Sequence, residues 1–443
     1  MLFRKLRRLT SDFRRDRRAN VVMIFAFLLI PVLFAAGMGV DYATAARRRA
    51  KLDAAADSAA LAAVTPSSMA LSSTNAQTLA QTLFNTLSSQ VMGIQSASLK
   101  PTITVTDNGL NRTATVSYTA NSLTSFSGII GKTTLTIGGK STASASLPPN
   151  IDFYLLLDDS PSMAIAATTT GINTMVANTT SQGGCAFGCH EYNPSADGLG
   201  NPGNEDNYQL ARNLGVTLRI DLVGTAAQNL MTQAQSTETT TNATYRMALY
   251  SFDYAFNSLQ SLTSNLTTAK TAASNIQILE VYQQNWLTQS QMQKNQSTAV
   301  GANDTDTDFS DAMNSINGIM PNPGGGTQAK GDSPQEVLFL VTDGVEDAMV
   351  SGSRVQALMD TSWCTTVKNR GIRIAVLYTQ YLPLPTDTWY NTYISPFQSQ
   401  ISGNMQGCAS PGLFTAVTTD GDISAALVSL FNTAVMTASH LTQ

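Results

Sequence analysis

Residues 151–163 read Ile-Asp-Phe-Tyr-Leu-Leu-Leu-Asp-Asp-Ser-Pro-Ser-Met, and the fold of this 443-residue chain turns on them. The run Ile151–Leu157 is apolar or aromatic at every position but Asp152, the pattern of a short strand buried on both faces. It stops abruptly in Asp158-Asp159-Ser160-Pro161-Ser162, a polar loop at the carboxyl end of a strand, where open α/β sheets bind ligands. Asp and Ser are also ordinary helix caps, so the meaning of this loop depends on what arrives beside it. Further apolar runs follow at 245–252, 336–342, 372–379 and 413–417, separated by helical spacing at about 206–234, 307–319, 354–370 and 421–437. Strands alternating with crossover helices predict a mostly parallel sheet covered on both faces. Residues 150–443 are therefore expected to form a Rossmann-like, doubly wound α/β domain, with a polar Gly/Asn-rich insert at 164–205.

Two distant segments give the loop company. Leu338–Thr342 delivers Asp343-Gly344 to the end of another strand, and Thr307 precedes an amphipathic helix. Together the Asp-x-Ser-x-Ser loop, the threonine and the Thr-Asp-Gly aspartate resemble the metal-ion-dependent adhesion site (MIDAS) of von Willebrand factor type A domains. The resemblance implies a divalent cation, Mg²⁺ or else Mn²⁺ or Ca²⁺, on Asp158, Ser160, Ser162, Thr307 and Asp343. The donor chemistry agrees, since hydroxyls and carboxylates are hard oxygen ligands. Only two of those five side chains are charged, so a bound cation would stay electrophilic toward a partner's carboxylate. Asp159, between the ligands, is expected to point away. The acidic run at 303–308 fails as an EF-hand, because Phe309 stands where Gly is needed and Ser315 where the closing Glu belongs.

The amino-terminal end has another character. Val21–Val40 runs for twenty residues without a charge, enough helix to cross ~30 Å of hydrocarbon. Eight basic residues lie between Arg4 and Arg18, which predicts a cytoplasmic 1–20 segment, a transmembrane 21–40 helix and an outward-facing remainder. The helix then continues through VDYATAARRRAKLDAAADSAALAA, with Arg47, Arg48, Arg49 and Lys51 at expected headgroup level. This stretch resembles the amino-terminal signature of TadG-like tight-adherence (Flp) pilus-assembly proteins. Helical spacing at 70–93 and period-two alternation at 100–107, 113–120 and 133–139 complete a pilin-like helix-plus-sheet module over 41–149. It departs from processed prepilins: Asn20 stands where Gly is usual, and Ile24 where many carry Glu.

Charge excludes one large class of partner. Beyond residue 51 the chain is net -13, with no basic stripe of the kind counterion release requires, so nucleic acid is not expected. Four cysteines in an exported chain predict disulfides; proximity favours Cys185 with Cys189, which leaves Cys364 with Cys408. The Cys-Ala-Phe-Gly-Cys-His insert is similar to one in TadG-like proteins. With two histidines and neither a nucleophile elbow nor a Walker loop, a non-enzymatic protein is expected. The resemblances imply a single-pass bacterial inner-membrane protein with a periplasmic or pilus-associated bulk. Its expected partners are other pilus-assembly or pilin subunits and a carboxylate on a surface or host ligand. The alternatives are a minor pilin or tip adhesin in the fibre, and a metal-dependent secretion or chaperone subunit.

Overall fold

The computed structural model describes residues 17–438 apart from 70, 109, 147, 196–199, 242, 283–305, 328–330, 351–352, 382, 385–387 and 419. The expected 1–20 segment thus lies outside the described residues except for its last four. The chain divides into two compact units, Met1–Ala145 and Ser146–Gln443.

The first unit is built on one continuous helix, Arg17–Ala62, with Pro31 inside it. Among the described residues it alone is long and apolar enough to cross a membrane. Its early side chains, such as Phe27 and Val32, are exposed. From Asp41 onward one face turns inward, through Ala45, Leu52, Ala55, Ala56, Ala59, Ala60 and Ala63. Spacing of three and four places these residues on one stripe, and their small size lets other elements pack close. That stripe meets the helix Ser73–Ser88 and a sheet of β1 (Lys100–Asn108), β2 (Asn111–Leu123) and β3 (Thr134–Ser146), in the order β1-β2-β3. Tyr118 of β2 closes the contact by donating its hydroxyl to the Asp53 carboxylate at 2.7 Å. Arg48, expected among lipid headgroups, instead turns to the sheet and donates to Ser122 Oγ (2.8 Å) and the Leu123 carbonyl (2.6 Å).

The second unit contains a six-stranded sheet. Its strands are β4 (Ile151–Asp158), β6 (Tyr245–Phe252), β7 (Phe256–Thr263), β9 (Gln335–Thr342), β12 (Arg373–Thr379) and β13 (Phe414–Val417). Two small pairs complete the set: β5 (His190–Glu191) with β8 (Glu280–Val281), and β10 (Val345–Val350) with β11 (Ser353–Leu358). The main order is β13-β12-β9-β4-β6-β7, parallel except for the antiparallel edge strand β7. Period-two alternation in β4 explains the two layers. Phe153, Leu155 and Leu157 pack with helices Arg219–Thr241 and Ile423–Ala438, whereas Tyr154 and Leu156 pack with Phe309–Ile319, Ser362–Asn369 and Gln398–Cys408. The fold is thus α/β and doubly wound.

Two local expectations fail for a shared reason. The helix expected from residue 354 starts only at Ser362, because Ser353–Leu358 is strand β11, paired antiparallel with β10. Strand β7 was not foreseen either. Both segments are edge or hairpin strands rich in polar residues, which lack the apolar run that marks a buried strand.

One rung of the sheet stores an electrostatic cost. Asp152 of β4 lies between Arg246 of β6 and Glu336 of β9. Arg246 pairs with Asp152, its Nε donating at 2.7 Å. Glu336 is buried, and burial together with the Asp152 charge pushes its pKa up to about 8. Native Glu336 therefore holds a proton that the unfolded chain releases above about pH 4.3. Stability from this group is fully present below that pH and is lost as pH rises through 8. Glu336→Gln should leave the melting temperature at pH 5 nearly unchanged. At pH 9 it should raise stability by on the order of 1 kcal/mol, discounted for screening by solvent around the half-exposed Arg246. Equal effects of the substitution at both pH values would count against this assignment.

Candidate metal centre

Strands β4 and β9 are neighbours, yet the chain winds from β4 toward β6 and β7, and from β9 toward β12 and β13. Connections leave in opposite directions at this one place, which opens a crevice beyond the strand ends. Asp158 is the last residue of β4, and Asp343 follows the last residue of β9. The topology alone therefore brings together two carboxylates that are 185 residues apart in sequence.

Local chemistry fixes each of them. Asp158 Oδ1 accepts from the Ser160 amide at 3.0 Å and from its hydroxyl at 2.5 Å. Its Oδ2 accepts from the Thr342 hydroxyl at 2.5 Å. Ser160 Oγ and Ser162 Oγ stand 3.1 Å apart, and Ser162 lies near enough to Asp343 to oppose the rise in its pKa. Pro161 opens a single 3₁₀ turn at Pro161–Ala164, and this turn sets both serines on the same side. Asp343 Oδ1 accepts weakly from the Val345 amide at 3.4 Å, while Oδ2 is buried with no hydrogen-bond partner. Gly344 has φ +76°, and a Cβ there would lie 2.7 Å from Ile401 Cγ2, so the turn after Asp343 requires glycine.

Thr307 reaches the same end by another route. It bridges Asp347 of β10 through two backbone hydrogen bonds, N–H to O at 3.3 Å and O from N–H at 3.0 Å. Arg354 holds the surrounding acidic residues, with Nε on Asp347 at 2.8 Å and Nη2 on Asp306 at 3.1 Å. Asp308 caps the next helix by accepting from the Asp311 amide at 2.9 Å. Asp158, Ser160, Ser162 and Thr342 thus form one hydrogen-bonded set with Asp343 beside it, whereas Thr307 is joined through its backbone to Asp347, four residues beyond Asp343. Asp159 is turned to Ser251 and Asp253 and is buried there.

Electrostatics show what the set lacks. Burial, and then the neighbouring Asp343 charge, push the Asp158 pKa up to about 7. Asp343 is also raised by burial, opposed first by the Arg219 guanidinium and then by Ser162. Two buried carboxylates side by side are costly unless a cation lies near them. Arg219 supplies part of that charge from the start of helix Arg219–Thr241; it is 4% exposed and donates to the Gln380 carbonyl. Sequence reasoning missed Arg219 and the role of Thr342. The signals were present: a lone arginine at the head of an apolar helical stripe, and a threonine directly before Asp343.

Hard oxygen donors, a buried carboxylate oxygen without a partner and uncompensated negative charge suit a divalent cation of the Mg²⁺ class. No group of three or more His, Cys, Asp or Glu residues suited to a metal occurs among the described residues, so the hydroxyl-based set stands apart from a carboxylate cage.

The cysteines divide differently from expectation. Cys364 and Cys408 form a disulfide with Cα atoms 5.2 Å apart. Cys185 and Cys189 do not: they are thiols that share a hydrogen bond. Between them Phe187 bridges Ile165, and the Gly188 amide donates to the Ala164 carbonyl at 2.8 Å. The intervening loop is held by these contacts with Ala164 and Ile165, so proximity in sequence does not become a bond. His190 next to them is occupied by Asp206, with Nδ1 at 2.8 Å from Oδ2.

Comparison with known proteins adds a family model and distant structural likenesses. Residues 20–80 match the model of putative Flp pilus-assembly TadE/G-like proteins. No curated protein sequence matches the chain. Among solved structures, the conserved hypothetical protein BatB from Bacteroides thetaiotaomicron is 13% identical, with 65% of this chain and 100% of that one covered and a TM-score of 0.33. The von Willebrand factor domain of the type V pili tip protein Mfa5 from Porphyromonas gingivalis is 10% identical, with 66% and 97% covered and a TM-score of 0.34. Proximal thread matrix protein 1 from the mussel byssus, solved with a zinc-occupied MIDAS motif, is 11% identical, with 66% and 46% covered and a TM-score of 0.31. The chain thus combines an amino-terminal stretch that matches the TadE/G-like Flp pilus-assembly model over residues 20–80 with a doubly wound α/β unit that carries a hydroxyl-and-carboxylate loop at its switch point.

Proposed function

We propose that this is a membrane-anchored, pilus-associated protein whose second unit binds a protein or surface ligand through a divalent cation. The buried, unpartnered Asp343 Oδ2 beside the Asp158–Ser160–Ser162 set carries this reading. Asp158, Ser160, Ser162, Thr307 and Asp343 are the residues that would hold the ion. When bound, the ion supplies a Lewis-acidic position that accepts a carboxylate oxygen from the ligand. The chain's own residues prepare that position. Thr342 and the Ser160 amide fix the Asp158 carboxylate, Gly344 lets the Asp343 turn close against the helix Gln398–Cys408, and Arg219 moderates the local negative charge. Anchoring rests on Arg17–Ala62 and the match over residues 20–80; the basic residues before Val21 favour a cytoplasmic amino terminus.

A second reading, incorporation into the fibre as a minor pilin, is favoured by the long helix that leads into a small three-stranded sheet. Fractionation separates the two. The anchored reading expects the protein in washed membranes, released only by detergent, and absent from sheared, purified pili. Recovery mainly in the fibres would favour the minor pilin.

A further inference from the structure

In the first unit, β2 ends at Leu123, and the chain turns through a 3₁₀ segment, Ser127–Ile130, before β3. This turn folds back onto the long helix at the end of its apolar span. Asp41 holds it there: the Asp41 carboxylate accepts from the amides of Ser125 (2.7 Å), Phe126 (3.0 Å) and Ser127 (2.6 Å), and from the Ser127 hydroxyl (2.8 Å). The Phe126 ring lies directly on Gly37, where a Cβ would come within 2.7 Å of it. Gly37 is three residues inside the end of the uncharged stretch, about 4.5 Å along the helix axis. The turn is thus docked alongside the apolar span itself.

What the turn shows to its surroundings is apolar. Ile129 is 72% exposed, Ile130 61% and Phe126 44%. Three large apolar side chains on one short turn are an unusual outlay for a surface that water would cover, because each forgoes roughly 1.5–3 kcal/mol of burial. A single site buries Asp41, the acidic residue nearest to them, and satisfies its carboxylate oxygens with four donors. Exposed Lys132 follows the turn, and exposed Arg47 and Lys51 stand about two and three helical turns beyond Val40. Apolar tips below a basic collar form the pattern of a segment seated at the headgroup–acyl boundary.

We infer that the Phe126–Ile130 turn is a second membrane contact, in which Phe126, Ile129 and Ile130 enter the leaflet on the sheet's side of the bilayer. Continuity with the exposed apolar span selects lipid as the occupant, because the same helix face that the turn covers passes directly into side chains such as Leu33 and Ile30, which only a bilayer would cover. The turn and the helix then form a two-point mount that limits tilting of the small sheet on the membrane. This inference rests on the reading of Val21–Val40 as a membrane span.

Tryptophan scanning of the full chain in lipid nanodiscs, one chain per disc, tests both separately. Single variants Ile130→Trp, Ile129→Trp, Leu28→Trp and Asn108→Trp are compared in discs with and without lipid brominated on its acyl chains. The three native tryptophans, common to all variants, are subtracted with the parent. Leu28 reports mid-span insertion. Asn108, exposed at the far end of the hairpin, is a control roughly 40 Å along β2 from the turn. The emission of the Ile130 and Ile129 indoles should fall by roughly half, since such segments sit 5–10 Å into the boundary, and that of the Asn108 indole should not change. Quenching at Leu28 without quenching at either isoleucine position would overturn the inference, whether the turn then faces water or is covered by protein. Absence of quenching at Leu28 would overturn the span and the inference together.

Discussion

Full-length protein with Cys364 and Cys408 both changed to alanine should be less stable than the parent by about 4 kcal/mol, which in a domain of this size lowers the melting temperature by roughly 10 °C. The bridge spans 44 residues in sequence, and a closed loop of that length removes this much conformational freedom from the unfolded chain in the chain-entropy model. Its effect should extend to the candidate metal centre. The disulfide ties helix Ser362–Asn369 to the end of helix Gln398–Cys408, and the second of these presents Ile401 and Met405 to Gly344, next to Asp343. Loosening that helix removes the wall against which the Asp343 turn closes, so metal binding should weaken along with stability. Calorimetry with and without reductant checks this. Reductant should bring the parent down to the level of the double variant and leave the variant unchanged, because Cys185 and Cys189 are already thiols. A loss below about 1 kcal/mol would mean that the bridge contributes little to the unfolded-state entropy.

The parts of this fold that could be read from sequence are those that bury themselves. Ile151–Leu157 and the runs at 336–342 and 372–379 are apolar because parallel strands are covered on both faces, and each appears in the structure as a central strand. Strands β7, β10 and β11 were not legible, because edge and hairpin strands keep polar residues and are specified by pairing partners elsewhere in the chain. The same division holds at the site. Asp158, Ser160 and Ser162 announce themselves by spacing along four bonds of one loop. Arg219 reaches Asp343 across more than a hundred residues, and only the folded sheet reveals that approach. Asp159 was expected to face away from the metal. In the structure it is buried beside Ser251 and Asp253, so its substitution carries a cost that a surface residue would not.

That burial decides how the central claim is tested. Asp158→Ala removes a carboxylate that two hydroxyls and an amide converge on, and its loss leaves the Thr342 hydroxyl without its acceptor. The metal-free variant is therefore expected to lose about 1–3 kcal/mol from the unsatisfied hydroxyl, partly offset because Asp343 no longer faces a second buried charge. Absolute stability is consequently a poor reporter, and the response to metal within each protein is the better one. Asp159→Asn, which keeps volume and hydrogen-bonding capacity, is the neighbouring control. A cation that binds only the native state stabilises by RT ln(1 + [L]/Kd), about 2.7 kcal/mol at a hundredfold excess over Kd.

The deciding measurement is the shift in unfolding free energy of the full-length protein on adding Mg²⁺ or Mn²⁺ after chelation, compared among the parent, Asp158→Ala and Asp159→Asn. The parent and Asp159→Asn should both gain about 2.7 kcal/mol at a hundredfold excess of metal over Kd, and Asp158→Ala almost nothing. Equal gains in all three proteins, or no gain in the parent, would contradict a metal-dependent adhesion-type site at the β4–β9 switch point.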